Sequence, residues 1–325
     1  MRRTADDESV PSYLVTGCAG FVGSHLSEAL LAEGATVVGV DALTDYYDPA
    51  VKRSNLEAVA EHSGFRLVDA DLAADPLDEL LDGVDGVYHL AAQPGVRGSW
   101  GDTFSFYARD NVVATQRLFE SAVKRNLRVT WSSTSSVYGN AEAYPTTEDA
   151  RPQPISPYGV TKLSCEYLAA AYTESFGLDH VALRYFTVYG PRQRPDMAFT
   201  RIVRALADGT PFEVYGTGEQ SRDVTYVGDA VTATIAAMER GRTGAVYNVG
   251  GGSETSLNEV IALLEQLSGR TLDRRQKETA SGDVRRTAAD TTRARTDLAW
   301  TSKMPLEEGL RAQLEWAGLE VLARA

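Results

Sequence analysis

A chain of 325 residues, 43% hydrophobic and 24% charged, is long enough for a large core and more than one lobe, with the balance of a soluble globular protein. Its formal net charge of −13 argues against a general nucleic-acid or anionic-membrane surface, so an anionic ligand has to meet a local arginine cluster. No apolar run approaches the ~20 residues of a membrane span, and Met1 to Pro11, without the apolar centre of a signal peptide, reads as a frayed polar tail. Cys18 and Cys165 have no metal-type neighbours and fit a reducing cytoplasm. The histidines, His25, His62, His89 and His180, are scattered, and none is taken as a metal ligand.

In chain order, Tyr13 to Thr16 predicts a short buried strand. It runs into Gly17-Cys18-Ala19-Gly20-Phe21-Val22-Gly23, then a helix through Leu26, Leu30 and Leu31 that stops at Gly34. Glycines at such a turn let the backbone approach a pyrophosphate over the positive helix end, although tight turns also use glycine for purely steric reasons. The spacing is GxxGxxG, with the first glycine one place earlier than in the usual dinucleotide fingerprint. The next strand, Thr36 to Val40, ends in Asp41, placed to accept hydrogen bonds from the adenosine ribose hydroxyls. An acid there repels a 2′-phosphate, which favours NAD over NADP.

A helix from about Val51 to His62, a strand Phe65 to Val68, a helix around Leu77 to Leu81 and a strand Gly86 to Leu90 continue the alternation. This predicts an α/β fold built on a Rossmann-type doubly wound parallel sheet. Ligands in such sheets lie at the carboxyl ends of the strands, which directs attention to Asp71-Leu72, Ala91-Ala92-Gln93 and Val96-Arg97. A helix from about Phe104 to Asn126 precedes a strand Leu127 to Trp131, which ends in the hydroxyl-rich run Ser132-Ser133-Thr134-Ser135-Ser136. By itself that run also describes a turn rich in backbone-bonding serines.

Ser156 followed by Pro157 starts a further helix, with the serine capping free N–H groups and proline fitting the first helical position. On it Tyr158 and Lys162 share one face a turn apart, so the ammonium can lie near the phenol and favour phenolate. A tyrosine titrates near ~10, so a base at neutral pH needs a shift of about 3 units, roughly 4 kcal/mol, more than one lysine supplies. The same pair also describes a solvated helix face.

Beyond it come a strand Val181 to Arg184, a helix Ala198 to Ala207 and a strand Pro211 to Tyr215. A polar loop Gly216 to Val224 carrying Arg222, a helix opening at Gly228-Asp229, a strand Ala245 to Val249 and helices Ser256 to Leu267 and Leu306 to Leu319 follow. Gly269 to Arg295, polar and arginine-rich, reads as a solvated loop. The expected organisation is a dinucleotide-binding domain over residues 1–185, to which the chain returns around 225–250, and a smaller ligand-binding lobe over 186–325, sharing one cleft.

The pattern resembles the extended short-chain dehydrogenase/reductase family, specifically its nucleotide-sugar epimerases and dehydratases. The likeness spans Tyr13 to about Leu319. It is carried by GCAGFVG at Gly17, HLAAQ at His89, SSVYG at Ser135, PYGVTK at Pro157, RYFTVYGPRQRP at Arg184 and RDVTYVGD at Arg222. The resemblance implies that Tyr158 is the base on the sugar 4-hydroxyl, that Lys162 holds the nicotinamide ribose and depresses the tyrosine pKa, and that Thr134 bonds the same hydroxyl. The positive nicotinamide completes the shift. It places NAD against Gly17, Gly20, Phe21, Val22, Gly23, Asp41, Asp71, Leu72, Ala91, Gln93, Asn111, Tyr158, Lys162 and Tyr185. It assigns Arg222 to the pyrophosphate of a UDP-sugar, Asp283 to the nucleotide ribose, and Arg97 and Tyr215 to the substrate. Some relatives have a phosphate-binding arginine where this chain has Ala280, and Arg285 is the expected substitute. The relatives also imply a homodimer through the helices near Phe104 to Asn126 and Pro157 to Phe176.

Two departures bear on the sugar. Thr187 stands where neutral-sugar epimerases and decarboxylases usually carry asparagine, and Arg194 lies near where the sixth carbon should sit. Both resemble the UDP-glucuronate 4-epimerases, in which hydroxyls and an arginine grip the uronate carboxylate. Oxidation at carbon 4 makes a β-keto acid, which loses carbon dioxide if its carboxylate turns perpendicular to the ketone plane. Thr134, Ser135, Ser136, Thr187 and Arg194 are the residues expected to prevent that turn. Related decarboxylases have glutamate where this chain has Ser136. The expectation is therefore reversible 4-epimerisation of UDP-glucuronate, with decarboxylation or neutral-sugar epimerisation as rivals.

Overall fold

The structure, a computed structural model, describes residues 10–278 and 282–322, so most of the polar tail and position 280 lie outside the described residues. Short apolar runs form strands and amphipathic ones form helices in the expected alternation. β1 (Ser12–Thr16), α1 (Phe21–Ala32), β2 (Thr36–Asp41), α2 (Pro49–Ser54), β3 (Phe65–Asp69), α3 (Asp78–Leu81) and β4 (Gly86–His89) come first. Next are α4 (Phe104–Tyr107), a π-helical stretch (Ala108–Val113), α5 (Ala114–Arg125), β5 (Arg128–Thr134), α6 (Pro157–Phe176) and β6 (His180–Tyr185). The remainder is β7 (Thr187–Tyr189), α7 (Ala198–Asp208), β8 (Phe212–Tyr215), β9 (Ser221–Tyr226), α8 (Val227–Arg240), β10 (Ala245–Val249), β11 (Ser253–Ser256), α9 (Leu257–Ser268), β12 (Arg274–Lys277), α10 (Thr292–Leu298) and α11 (Leu306–Trp316).

Seven parallel strands form the central sheet in the order β10-β6-β5-β4-β1-β2-β3, as the alternating pattern predicts. One face packs Leu14, Val87 and Trp131 against Leu118, Phe119 and Ala169 of α5 and α6. The other packs Val15, Val37 and Tyr88 against Leu26 and Leu30 of α1 and Val231 and Ile235 of α8. Burial on both faces explains why these strands read as continuous apolar runs. Strand order reverses between β1 and β4, and a crevice opens there at the carboxyl ends. Over it stand the sheets β11-β9-β7 and β12-β8, on a core of Tyr189, Ile202, Ile261, Leu264, Leu310 and Leu314.

Four expectations are corrected. The helix expected to reach His62 ends at Ser54, because Asn55 turns inward to donate to Ala19 O at 3.0 Å, and tighter turns follow. The single helix expected over Phe104 to Asn126 is broken by the π-helical stretch, whose extra residue per turn turns Asn111 into the core. The polar loop expected from Gly216 to Val224 is a strand from Ser221 onward, since Val224 and Thr225 are buried and Asp223 is satisfied by Gly251, Gly252 and Ala289 N–H groups. Gly269 to Arg295 contains β12, an exposed strand without apolar alternation, and the start of α10, which is anchored by buried Ala294 and Leu298.

His89 is buried at the end of β4, with Nδ1 2.8 Å from Thr16 Oγ1 and Nε2 2.9 Å from Thr115 Oγ1, and burial pushes its pKa down to about 3. An unfolded histidine titrates near ~6.5, so folding favours the neutral ring: this contribution is whole above pH ~6.5 and is lost as pH falls towards 3. Denaturant melts at about pH 7 and about pH 4.5 should show a smaller acid loss for His89→Gln than for the unaltered protein. Equal losses would refute the assignment.

Candidate active site

A cleft of about 1060 Å³ runs along the carboxyl ends of the central strands and under the smaller sheets. At one end Gly17 has φ +70°, and a Cβ there would stand 2.8 Å from Ala91 N. A Cβ on Gly23 would collide with Gly17 O, so both positions exclude a side chain and keep the backbone bare at the start of α1. Asp41 is shaped by this turn: Oδ2 accepts from Ala19 N at 3.1 Å and Oδ1 from Leu43 N at 2.9 Å. Burial raises its pKa, and Lys52, with Nζ 4.0 Å from Oδ1, opposes the rise. Further along, Asp71 is paired with Arg109, while Leu72, Ala91 and Gln93 line the same wall. Tyr185 presents its ring to the cleft, but its hydroxyl is engaged with Thr234 Oγ1 at 2.6 Å.

Asn111, expected against the cofactor, lies behind the cleft wall. Its Oδ1 accepts from Gln93 N at 2.7 Å, and its Nδ2 donates to Gln93 O at 3.1 Å and Thr161 Oγ1 at 3.0 Å. It braces the Gln93 loop against α6 from the π-helical stretch, which is a supporting role.

Ser156 starts α6 as expected, its hydroxyl accepting from Gly159 N at 3.1 Å, and the helix carries Tyr158 and Lys162 into the middle of the cleft. Thr134 ends β5 beside them, a hydrogen-bonding partner of Tyr158 whose Oγ1 also accepts from Ser136 N at 3.1 Å. Lys162 is buried and donates to Ser132 O at 2.8 Å. Desolvation raises the Tyr158 pKa, and the cation that leads the opposition is Arg194. The expected depression by Lys162 is thus not the main effect in the protein alone; burial also lowers the Lys162 pKa.

Ser135, Ser136, Thr187 and Arg194 line the adjoining part of the cleft. Arg194 makes a two-point pair with Asp196, Nε to Oδ1 at 3.0 Å and Nη2 to Oδ2 at 2.9 Å. At the far end Arg97 donates to Asp283 Oδ2 at 2.7 Å and lies 4.3 Å over the Tyr215 ring. Arg222 lines this end too, with burial lowering its pKa and Asp283 as the nearby compensating charge. Arg285 is corrected: it is exposed and outside the cleft, and its backbone joins Asn140 and Ser221. Arg97 and Arg222 are the arginines that stand beside Asp283 at this end of the cleft.

A bare glycine turn, the acid Asp41 and a Tyr–Lys–Thr cluster now stand along one cleft. Residues 13–250 match the NAD dependent epimerase/dehydratase family. The chain belongs to this family. Among curated relatives it is 40% identical to an uncharacterized UDP-glucose epimerase, YtcB, of Bacillus subtilis, covering 93% of this chain and 96% of that one. It is 36% identical to a UDP-glucuronate 4-epimerase of Thermodesulfobacterium geofontis, covering 94% and 95%. Among solved structures it is similar to the UDP-glucuronic acid 4-epimerase of Bacillus cereus in complex with UDP-glucuronic acid and NAD. That match has a TM-score of 0.92 and 40% identity over 94% of this chain and 99% of that one.

The residues present fit the family's NAD: the side-chain-free cradle at Gly17 and Gly23 admits a pyrophosphate, and Asp41 stands where ribose hydroxyls need an acceptor. Lys52, Tyr46, Tyr107, Arg109 and Asp196 also line or brace the site and were missed by sequence reasoning. The only signal was position: Tyr46 and Lys52 fall in the polar and aromatic stretch from Asp45 to Lys52, Tyr107 and Arg109 in that from Phe104 to Asp110, and Asp196 two residues after Arg194.

Proposed function

We propose that the protein is a reversible, NAD-dependent UDP-glucuronate 4-epimerase, a reading carried by Arg194 facing Tyr158 in one cleft. A guanidinium beside the proton-accepting tyrosine suits a sugar with a carboxylate on carbon 6 better than one with a neutral hydroxymethyl group. NAD bound along Gly17 to Asp41 supplies the hydride acceptor for carbon 4, and in its reduced form the donor. Tyr158 takes the 4-hydroxyl proton and returns it after the keto sugar has turned over, and Thr134 orients the hydroxyl. Lys162, held by Ser132 O, is the cation on the nicotinamide ribose side. Thr134, Ser135, Ser136, Thr187 and Arg194 hold the carboxylate near the ketone plane and so suppress loss of carbon dioxide. Arg97, Arg222, Tyr215 and Asp283 take the UDP portion.

The test is product analysis after incubation with UDP-glucuronate. UDP-galacturonate is the expected product; a pentose nucleotide as the main product, or faster turnover of UDP-glucose, would overturn the choice.

The same reading includes the division into a cofactor domain and a substrate lobe, a cytoplasmic setting and a homodimer. Both cysteines are free and buried, which suits a reducing compartment, and among the described residues no helix is long and apolar enough to cross a membrane. The dimer is supported by exposed Phe106, Val113, Val160 and Tyr167 on the adjacent π-helical and α4–α6 segments. Sedimentation is expected to give twice the chain mass, and a monomer at micromolar concentration would sink that part.

A further inference from the structure

Arg194 does not enter the cleft as a loose cation. The two-point pair with Asp196 uses Nε and Nη2, one edge of the guanidinium, and leaves the Nη1 side for a ligand. Asp196 is held in turn from the other side of the cleft. Tyr46, in the loop after β2, donates from its hydroxyl to Asp196 Oδ2 at 3.3 Å. The Tyr46 hydroxyl abuts Gly95, where even a Cβ would stand 2.7 Å from it, so the ring has little room to move away. Arg194 and Asp196 belong to the segment that follows β7, while Tyr46 and Gly95 belong to loops of the main sheet. The plane of the guanidinium is therefore set by groups on both sides of the cleft.

Resting on the proposed epimerase function, we infer that Asp196, steadied by Tyr46, is a positioning residue that orients Arg194 so that the uronate carboxylate is gripped in the plane of the 4-ketone. Its consequence is fidelity of product. A freely rotating guanidinium still attracts the carboxylate but no longer dictates its angle. Once the carboxylate turns perpendicular to the ketone, the C5–C6 bond breaks and its electron pair enters the ketone as an enolate. Carbon dioxide leaves, carbon 5 takes a proton from water, and a keto-pentose nucleotide remains.

The experiment compares the NAD-loaded enzyme with Asp196→Asn and Tyr46→Phe on UDP-glucuronate and UDP-glucose, following KM, kcat and the share of pentose nucleotide by chromatography. For Asp196→Asn the KM for UDP-glucuronate is expected to rise about tenfold, the scale of losing charge-assisted hydrogen bonds, while that for UDP-glucose changes less than about twofold. The pentose share should rise at least about fivefold, as expected when a small misplacement alters the reactive geometry. Tyr46→Phe should move both readouts in the same direction by a smaller factor, and it provides the test if Asp196→Asn does not fold by circular dichroism. Unchanged KM and product share in a folded variant, or equal weakening for both sugars, overturns the role of Asp196. If the unaltered enzyme fails to make UDP-galacturonate, the functional reading fails instead, so the two failures are distinguishable.

Discussion

Tyr158→Phe lowers kcat for UDP-glucuronate by about 10³-fold, within the range for loss of a general acid–base group, while affinity for the sugar nucleotide changes little. The ring stays in place because α6 is anchored independently, by the Ser156 cap at one end and Gly177 at φ +69° at the other. Only the hydroxyl facing Thr134 is lost. Steady-state kinetics together with titration of binding separates the two parameters, and a variant with kcat within tenfold of the original would remove Tyr158 from the chemistry. Lys162→Met is a different lesion, since it empties a buried ammonium site that bonds Ser132 O and disturbs the end of β5 as well.

Arg194→Ala raises the KM for UDP-glucuronate by about 10²-fold, the scale of losing charged hydrogen bonds to a carboxylate, and raises that for UDP-glucose by less than about threefold. It also removes the cation that most opposes the upward shift of the Tyr158 pKa. The base must be deprotonated to act, so the rising limb of the pH–rate profile moves to higher pH in this variant. Competition kinetics with the two sugar nucleotides and a pH profile test both effects. Equal losses for the two sugars would place Arg194 at the pyrophosphate, and an unmoved limb would detach it from Tyr158.

Much of this site was legible because its chemistry follows the chain. The strand–glycine–helix order at Gly17, the acid at Asp41 and the Ser-Pro start before Tyr158 are local patterns with local physical causes. They were enough to predict a parallel sheet and the ends of its strands as the binding edge. The surroundings of Asn111 and Arg285 were not legible, for the opposite reason. A π-helical turn rotates Asn111 away from the position a regular helix implies, and Arg285 lies in a polar segment without hydrophobic periodicity.

The sequence by itself determined the fold class, the bare glycine turn and the helix that carries Tyr158 and Lys162 on one face, because helix caps, glycine turns and strand periodicity act over a few residues. Only the tertiary structure decided which charges meet. It paired Arg109 with Asp71, set Arg97 against Asp283 and Tyr215, and brought Tyr46 across the cleft to Asp196. Electrostatic and hydrogen-bond energies depend on distance and desolvation, and both are settled when segments far apart in the chain pack together.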